Sequence, residues 1–236
     1  MKHLIAMHGW GGEQYIWRKW LNYFSQHGWV CQSGERGYGG VKPIQPKWEA
    51  THLNDCIENR VIIAHSLGIH LLSRDVLVKA TKIVLFSSFG RFIPEGKQGR
   101  IIRASLQGMK QSLGSLNENK MLNTFLKKAS APEAISEPLP IIFSKGLSAE
   151  GRSRMGVDLQ LLFQTEGIPS DIDPSSKVLV IEGGNDEIIV PETRANLVKD
   201  LNKHLLEMPT HWLFPKLGHS LVNNIPMKEV KDWIES

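Results

Sequence analysis

Runs of consecutive apolar residues, rather than alternating apolar and polar ones, mark the strands that this sequence predicts. Six such runs cover residues 2–8, 29–32, 60–64, 82–88, 177–182 and 211–215. A strand that is apolar on both faces is buried on both faces, which is typical of a parallel sheet covered by helices on each side. The pattern therefore predicts an α/β fold with a mostly parallel central sheet of about six strands.

Between these runs, apolar residues recur at helical spacing. The predicted helices outside the long segment 89–176 cover residues 13–27, 48–59, 71–80, 191–204 and 226–236. In the first of these helices, the side chains expected to be buried are Tyr15, Ile16, Trp20, Tyr23 and Phe24. Gly28 follows as a helix terminator.

A serine follows the third predicted strand at a sharp turn. The segment Ala64-His65-Ser66-Leu67-Gly68 fits the strand–turn–helix pattern G-x-S-x-G, except that Ala64 replaces the first glycine. In this pattern the strained turn projects the serine hydroxyl, and small neighbours let the strand and helix pass close together. The alternative is a serine that only caps the following helix.

Two later turns supply an acid and a base where strands five and six end. Asp186 follows a glycine turn after strand five, and His219 follows strand six. An aspartate there would orient the imidazole, which would act as the general base for Ser66. Glu187 is the alternative acid, and Asp186 is favoured because it directly follows the turn; it could also be an ordinary turn residue. His65 is adjacent to the serine, but neighbouring side chains on such a turn project differently, so it is not the expected base.

Backbone amides near the serine complete the predicted site. The amides of Trp10, in the glycine-rich turn 8–12, and of Leu67 are the expected oxyanion donors. The glycines around Trp10 let the main chain approach a substrate closely. The order Ser66, Asp186, His219 is the one expected of a serine hydrolase built on a strand–turn–helix nucleophile.

Together these motifs resemble those of the α/β-hydrolase superfamily. The matching segments are His8–Gly11, Arg36–Gly39, Ala64–Gly68, Gly184–Pro191 and Gly218–Ser220. The departures are Ala64, Gly34 where many members have aspartate, and the apparent lack of the usual first two strands. The turn at His8–Gly11 before a tryptophan-bearing helix is similar to the pimeloyl-[acyl-carrier protein] methyl ester esterases of biotin synthesis.

The resemblance implies a serine carboxylesterase that works through an acyl-enzyme, with no cofactor and no metal ion. Its implied substrate is a small acyl ester, most specifically the methyl ester of a dicarboxylate on an acyl carrier protein. Trp10 and Leu67 take the oxyanion positions of that family, and Trp10 also lines its acyl site. A general short-chain carboxylesterase, a thioesterase and a carbon–carbon bond hydrolase remain alternatives, as does a non-enzymatic sensor on the same fold.

The long segment between strands four and five is the main departure from a simple α/β chain. It contains three predicted helices, 99–110, 118–129 and 153–164. We therefore divide the chain into an α/β-hydrolase core, residues 1–88 and 177–236, and a helical lid insertion, residues 89–176. Some of the apolar side chains of this insertion are expected to line an acyl pocket.

The positive charge of the protein is concentrated in this insertion. From Arg91 to Arg154, eleven basic residues stand against five acidic ones, giving +6 where the whole chain carries +4. A basic surface would attract an acidic acyl carrier protein, and the candidate contacts are Arg100, Arg103, Lys127 and Lys128. The alternative is an ordinary solvated surface of mixed charge. Nucleic-acid binding is not expected, because no recognition motif accompanies these residues.

Composition adds a few limits. The 236 residues include two cysteines without metal-ligand spacing, which favours a reducing, cytoplasmic setting. The apolar part of the N-terminal segment is too short for a secretory signal. No apolar run approaches the length that crosses a membrane, so no membrane association is expected.

Overall fold

Six parallel strands form the centre of the computed structural model, which describes residues 1–49, 59–135 and 139–236. The strands are β1 (Lys2–Met7), β2 (Trp29–Ser33), β3 (Asn59–His65), β4 (Lys82–Phe86), β5 (Lys177–Gly183) and β6 (Thr210–Phe214). Their order across the sheet is β2-β1-β3-β4-β5-β6, and every neighbouring pair is parallel. The predicted parallel α/β fold is confirmed.

Helices cover both faces of this sheet. They are α1 (Arg18–Gln26), α2 (Arg74–Leu77), α3 (Gly96–Ser112), α4 (Glu118–Ser130), α5 (Ile141–Ser144), α6 (Ala149–Gln164), α7 (Pro191–His204) and α8 (Met227–Glu235). Among the helices of the described ranges, none combines the length and the apolar character needed to cross a membrane.

Alternation along the buried strands divides the core into two apolar layers. On β3, Val61 and Ile63 belong to one layer, whereas Ile62 and Ala64 belong to the other. This follows from the two-residue period of a strand, and it explains why the run is apolar at every position. Helices α1 and α8 contribute to the first layer, and helices α2, α3, α4, α6 and α7 contribute to the second.

The chain after the serine differs from the prediction. Instead of one helix over 71–80, a 3-10 helix covers Ser66–Leu71 and a single α-helical turn follows at Arg74–Leu77. Leu72 and Ser73 between them are extended. The apolar spacing predicted helical structure in this region, but tertiary packing divides it into two short helices.

The first predicted helix is also divided. Residues Gln14–Trp17 form a 3-10 helix, and the α-helix covers only Arg18–Gln26. Trp20 and Phe24 are buried as expected, but Tyr15 is 48% exposed while Trp17 is fully buried. The change of helical pitch rotates Tyr15 away from the core and Trp17 into it. The predicted helix over 48–59 lies largely outside the described residues.

Four helices, α3 to α6, occupy the segment 89–176 between β4 and β5, which we call the insertion. The three predicted helices are present with longer bounds, and the short α5 was not predicted. Leu106, Leu122 and Leu159 of the insertion join the same apolar layer as the core helices α2 and α7. The insertion therefore packs directly on the side of the sheet that carries the serine turn.

Candidate active site

Ser66 lies directly after β3, at the first residue of the 3-10 helix, in a strained backbone conformation. Its φ angle is 53°, in the left-handed region that non-glycine residues rarely adopt. A Cβ atom built at Gly68 would lie 2.4 Å from the Met7 carbonyl oxygen, so only glycine lets this turn pass so close to the end of β1. Backbone strain of this kind is common at active sites, and it supports the predicted nucleophile turn.

His219 and Asp186 are joined by a hydrogen bond between the loops after β6 and β5. His219 Nδ1 lies 2.9 Å from Asp186 Oδ2, and both side chains are almost completely buried. The other carboxylate oxygen, Oδ1, accepts from the Ile188 and Ile189 amides at 2.7 and 2.8 Å. Because an ionised carboxylate only accepts, Nδ1 of His219 donates and Nε2 is left as an acceptor.

The surroundings of Asp186 favour its ionised form. Burial alone would raise the pKa of Asp186, but the charge of His219 and the hydrogen bonds from His219, Ile189 and Ile188 together lower it below its ordinary value. Glu187, the alternative acid, is exposed, and within the described residues no hydrogen bond or ion pair joins it to His219. The histidine thus contacts the acid that the turn pattern favoured.

Backbone contacts hold His219 on both sides. The Ser220 amide donates to the Ala129 carbonyl of α4 at 3.1 Å. A Cβ atom at Gly218 would lie 1.7 Å from the carbonyl oxygen of Ala131, so any other residue there would collide with the end of α4. The insertion therefore fixes the loop that carries His219.

His65 links this loop to the serine turn. Its Nε2 lies 3.0 Å from the His219 carbonyl oxygen, and the two imidazole rings pack with centroids 4.8 Å apart. Within the described residues, no hydrogen bond joins the Ser66 hydroxyl to His219 itself. Catalytic hydrogen bonds are often long before substrate binds, so this geometry is compatible with the predicted pair of Ser66 and His219.

The turn after β1 lies beside the serine and the Leu67 amide. A Cβ atom at Gly9 would lie 2.8 Å from Ser66 Cβ and 3.3 Å from Leu67 N. The Trp10 side chain continues under the insertion: its Nε1 donates to the Met155 carbonyl at 2.9 Å, and its ring meets Phe125 edge-on at 4.8 Å. The glycine-rich turn 8–12 thus packs against Ser66 and the Leu67 amide through Gly9, the residue before Trp10.

A buried ion pair, which sequence reasoning missed, joins the insertion to the loop after β2. Asp158 of α6 accepts from Arg36 Nε and Nη2 at 2.7 and 2.6 Å and from the Tyr38 hydroxyl at 2.6 Å. Burial, and then the negative charge of Asp158, raise the pKa of Tyr38 well above its ordinary value, so the phenol remains a donor. One signal was visible: Asp158 is the acidic residue on an otherwise apolar face, beside the buried Met155 and Leu159.

The basic residues proposed as carrier contacts lie away from these groups, on exposed positions of α3 and α4. They are Arg100, Arg103, Lys127 and Lys128. None forms an ion pair with another residue in the described parts of the chain, and the guanidinium of Arg103 lies over the Phe163 ring at 5.9 Å. Over the same ranges, no three His, Cys, Asp or Glu side chains are grouped as a metal ion requires.

The comparisons with known proteins bear on the fold. No protein-family model and no curated protein matches the sequence. An esterase from Exiguobacterium antarcticum superposes with a TM-score of 0.68 at 17% identity, covering 100% of this chain and 92% of that one. A bromoperoxidase from Bacillus anthracis superposes with a TM-score of 0.64 at 15% identity, covering 99% of this chain and 89% of that one. A meta-cleavage product hydrolase from Pseudomonas fluorescens superposes with a TM-score of 0.64 at 12% identity, covering 100% of this chain and 88% of that one. The chain has the α/β-hydrolase fold over its whole length.

Proposed function

We propose that this protein is a serine hydrolase that cleaves carboxylic esters through an acyl-enzyme. Ser66 is the nucleophile, His219 the general base and Asp186 the residue that orients the imidazole. The observation that carries the proposal is the hydrogen bond from His219 Nδ1 to Asp186 Oδ2, which leaves Nε2 as a proton acceptor, in a loop that also contacts His65, the residue before the strained Ser66.

The reaction follows from these roles. As Ser66 Oγ attacks the ester carbonyl carbon, its proton passes to His219 Nε2, and the carbonyl oxygen becomes negatively charged. The amides of Trp10 and Leu67 stabilise that oxygen, a contribution that is typically worth about 10²–10³ in turnover per donor. His219 then protonates the departing alcohol, which leaves the acyl group on Ser66 Oγ. In the second half of the reaction, a water molecule gives a proton to His219 and attacks the acyl carbon. His219 returns that proton to Ser66 Oγ as the carboxylic acid leaves.

We further propose that the insertion acts as a lid and supplies part of the acyl pocket. Ser66 is only 8% exposed and His219 only 2% exposed, so a substrate reaches them after the insertion moves. Phe125, Ile142 and Met155 lie within 4 Å of a Cβ atom built at Gly11, next to the proposed oxyanion amide of Trp10. Apolar walls with few polar groups are typical of sites for acyl chains.

For the substrate, we propose the methyl ester of a dicarboxylate held on an acyl carrier protein. The sequence resemblance at His8–Gly11 supports this choice, and so do the exposed cations Arg100, Arg103, Lys127 and Lys128, which form no ion pair within the described residues. An acidic carrier would be steered toward such a surface, and its binding would weaken with added salt. Thioesters and carbon–carbon bonds of acyl compounds remain the competing substrates.

The mechanism is tested by replacing the nucleophile. Ser66→Ala should abolish hydrolysis of short p-nitrophenyl esters and covalent labelling by a fluorophosphonate probe. Ser105→Ala is the matched control, because Ser105 is exposed on α3, outside the site. Labelling of the Ser66→Ala protein, or ester hydrolysis at the rate of the unmodified protein, would disprove the proposed chemistry.

The substrate is tested in cells and in solution. A biotin auxotroph that lacks its own methyl esterase should be rescued by the protein and not by Ser66→Ala. Rescue should weaken when Arg100, Arg103, Lys127 and Lys128 are all replaced by glutamine. The control replaces the exposed Lys19, Lys42, Lys199 and Lys203, which changes the net charge equally outside the insertion. Faster cleavage of a thioester than of the methyl ester of the same acyl chain would instead favour a thioesterase.

A further inference from the structure

The residue before the proposed nucleophile makes two contacts with the proposed base. His65 ends β3, and its side chain lies against the loop that follows β6. The two imidazole centroids are 4.8 Å apart, and the His65 Nε2 atom lies 3.0 Å from the backbone oxygen of His219. No other described side chain donates a hydrogen bond to that oxygen.

This contact determines the tautomer of His65. A carbonyl oxygen can only accept, so Nε2 of His65 carries the hydrogen and donates it. Burial, followed by the charge of His219, lowers the pKa of His65 to about 3, so the ring is neutral at any ordinary working pH. His65 is thus a fixed, uncharged donor, and it does not compete with His219 for the proton of Ser66.

The hydrogen bond that His219 donates to Asp186 and the one that it accepts from His65 act on different parts of His219. Asp186 holds the ring at Nδ1, whereas His65 holds the backbone carbonyl and packs against the ring at a tilt of 55°. Ser66 follows His65 directly in the chain, so a displacement of the His219 loop away from β3 must break the His65 contact. The residue before Ser66 is therefore bonded directly to the loop that holds the proposed base.

Resting on the function proposed above, we infer that His65 is a positioning residue, which holds the His219 imidazole over Ser66 by donating to the His219 carbonyl and packing against its ring. It transfers no proton and contacts no substrate. Its effect is on the fraction of molecules in which His219 Nε2 is within reach of the Ser66 hydroxyl, and hence on kcat rather than on KM.

Three variants separate this role from simple packing. His65→Phe keeps a flat ring but loses the donor, and His65→Gln keeps an N–H donor at a similar distance from the backbone. His70 is the matched control, because its Nε2 also donates to a backbone carbonyl, that of Phe89 at 2.9 Å, and its ring also stacks, on Phe89 at 5.2 Å. His70→Phe removes an equivalent bond that does not involve His219.

The measurements are kcat, KM, the pH profile of kcat and the melting temperature, with a short p-nitrophenyl ester as substrate. We expect His65→Phe to lower kcat about tenfold, the effect of losing one buried hydrogen bond that orients the base, with KM changed less than about twofold. The midpoint of the acid limb should stay where it is in the unmodified protein. His65→Gln should restore kcat to within about threefold, and His70→Phe should lower the melting temperature without a matching loss of kcat.

Other results would overturn the inference. Unchanged kcat in His65→Phe would show that the contact does not position the base, and equal losses in the Phe and Gln variants with lower melting temperatures would show a packing role only. Disappearance of the acid limb would make His65 itself the titrating base. Failure of the proposed function is recognised separately, because Ser66→Ala and His219→Ala would then retain hydrolysis whatever the His65 variants do.

Discussion

Asp158 and Arg36 form a buried, two-bond ion pair that joins helix α6 of the insertion to the loop after β2. The distances are 2.7 and 2.6 Å, and the Asp158 side chain is 2% exposed. One turn earlier on the same helix, the Met155 carbonyl accepts from the Trp10 indole. The two contacts together join α6 to the loop after β2 and to the turn that contains Trp10.

Removing one member of this pair should be costly. Asp158→Ala leaves the half-buried Arg36 without its anion, so we expect the free energy of unfolding to fall by about 3 kcal/mol in urea denaturation. Asp171→Ala is the control, because its partner Arg74 is 79% exposed and such pairs contribute less than about 1 kcal/mol. Similar losses in the two variants would mean that the Asp158 pair contributes nothing beyond a surface contact.

Gly218 should be required for full activity, because it packs tightly against the end of α4. In Gly218→Ala, the new Cβ would meet the Ala131 carbonyl at 1.7 Å, so the His219 loop or the end of α4 must move. We expect kcat to fall by about tenfold or more, because small displacements of a catalytic group are costly. Gly108→Ala is the contrasting variant: nothing lies within 4 Å of its Cβ, and it should stabilise α3 by about 1 kcal/mol. Unchanged turnover in Gly218→Ala would contradict the contact.

The Trp10 indole should influence substrate binding as well as stability. Trp10→Phe removes the donor to the Met155 carbonyl and should cost about 1 kcal/mol of stability. Trp20→Phe removes an equivalent buried bond, to the Val222 carbonyl at 3.0 Å in the other apolar layer, and should cost about the same. Only Trp10→Phe should raise KM for esters with longer acyl chains, and equal KM values in the two variants would argue against an acyl site beside Trp10.

His65 should contribute to a fall in stability with acidification. The pKa of His65 is lowered from 6.5 to about 3, so between these values the unfolded chain binds a proton that the folded chain does not. This contribution is complete above pH 6.5 and is lost progressively as the pH falls toward 3, with an upper limit of about 1.4 kcal/mol per pH unit. Urea denaturation at several pH values should therefore show a shallower slope for His65→Phe than for the unmodified protein.

The lowered pKa of Asp186 acts in a different range. Its contribution is present above its ordinary pKa of 3.8 and is lost as the pH falls through the lower value of the folded state. Of these two groups, therefore, only His65 changes the free energy of unfolding between pH 6.5 and about pH 4. A slope for His65→Phe that matches the unmodified protein between pH 6 and 4 would contradict the assignment of His65 as a buried neutral ring.

The sequence was most informative where local chemistry and chain position coincide. The serine turn, Asp186 and His219 each follow a continuously apolar strand, and parallel strands bring their carboxyl ends to one edge. The structure joins Asp186 to His219 and places Leu67 and the turn containing Trp10 beside Ser66. The assignment of these residues as catalytic remains a prediction that the variants above test.

Other features depend on partners distant in the chain. Asp158 pairs with Arg36 across 122 positions, and no local pattern connects them. The division of the first helix, with Trp17 buried and Tyr15 exposed, results from packing against the sheet rather than from helical spacing. The contact between His65 and His219 was missed because adjacent side chains on a turn were expected to point away from the site.

The end of α4 lies on both sides of His219, with the Ala129 carbonyl bonded to Ser220 and the Ala131 carbonyl closing on Gly218. A chimaera that received the segment 89–176 of another protein with this architecture would thus replace the helix end that supports the His219 loop, as well as the helices that cover the site. A working chimaera must therefore take residues 218 and 220 from the same protein as the segment, so that their contacts with the end of α4 are preserved.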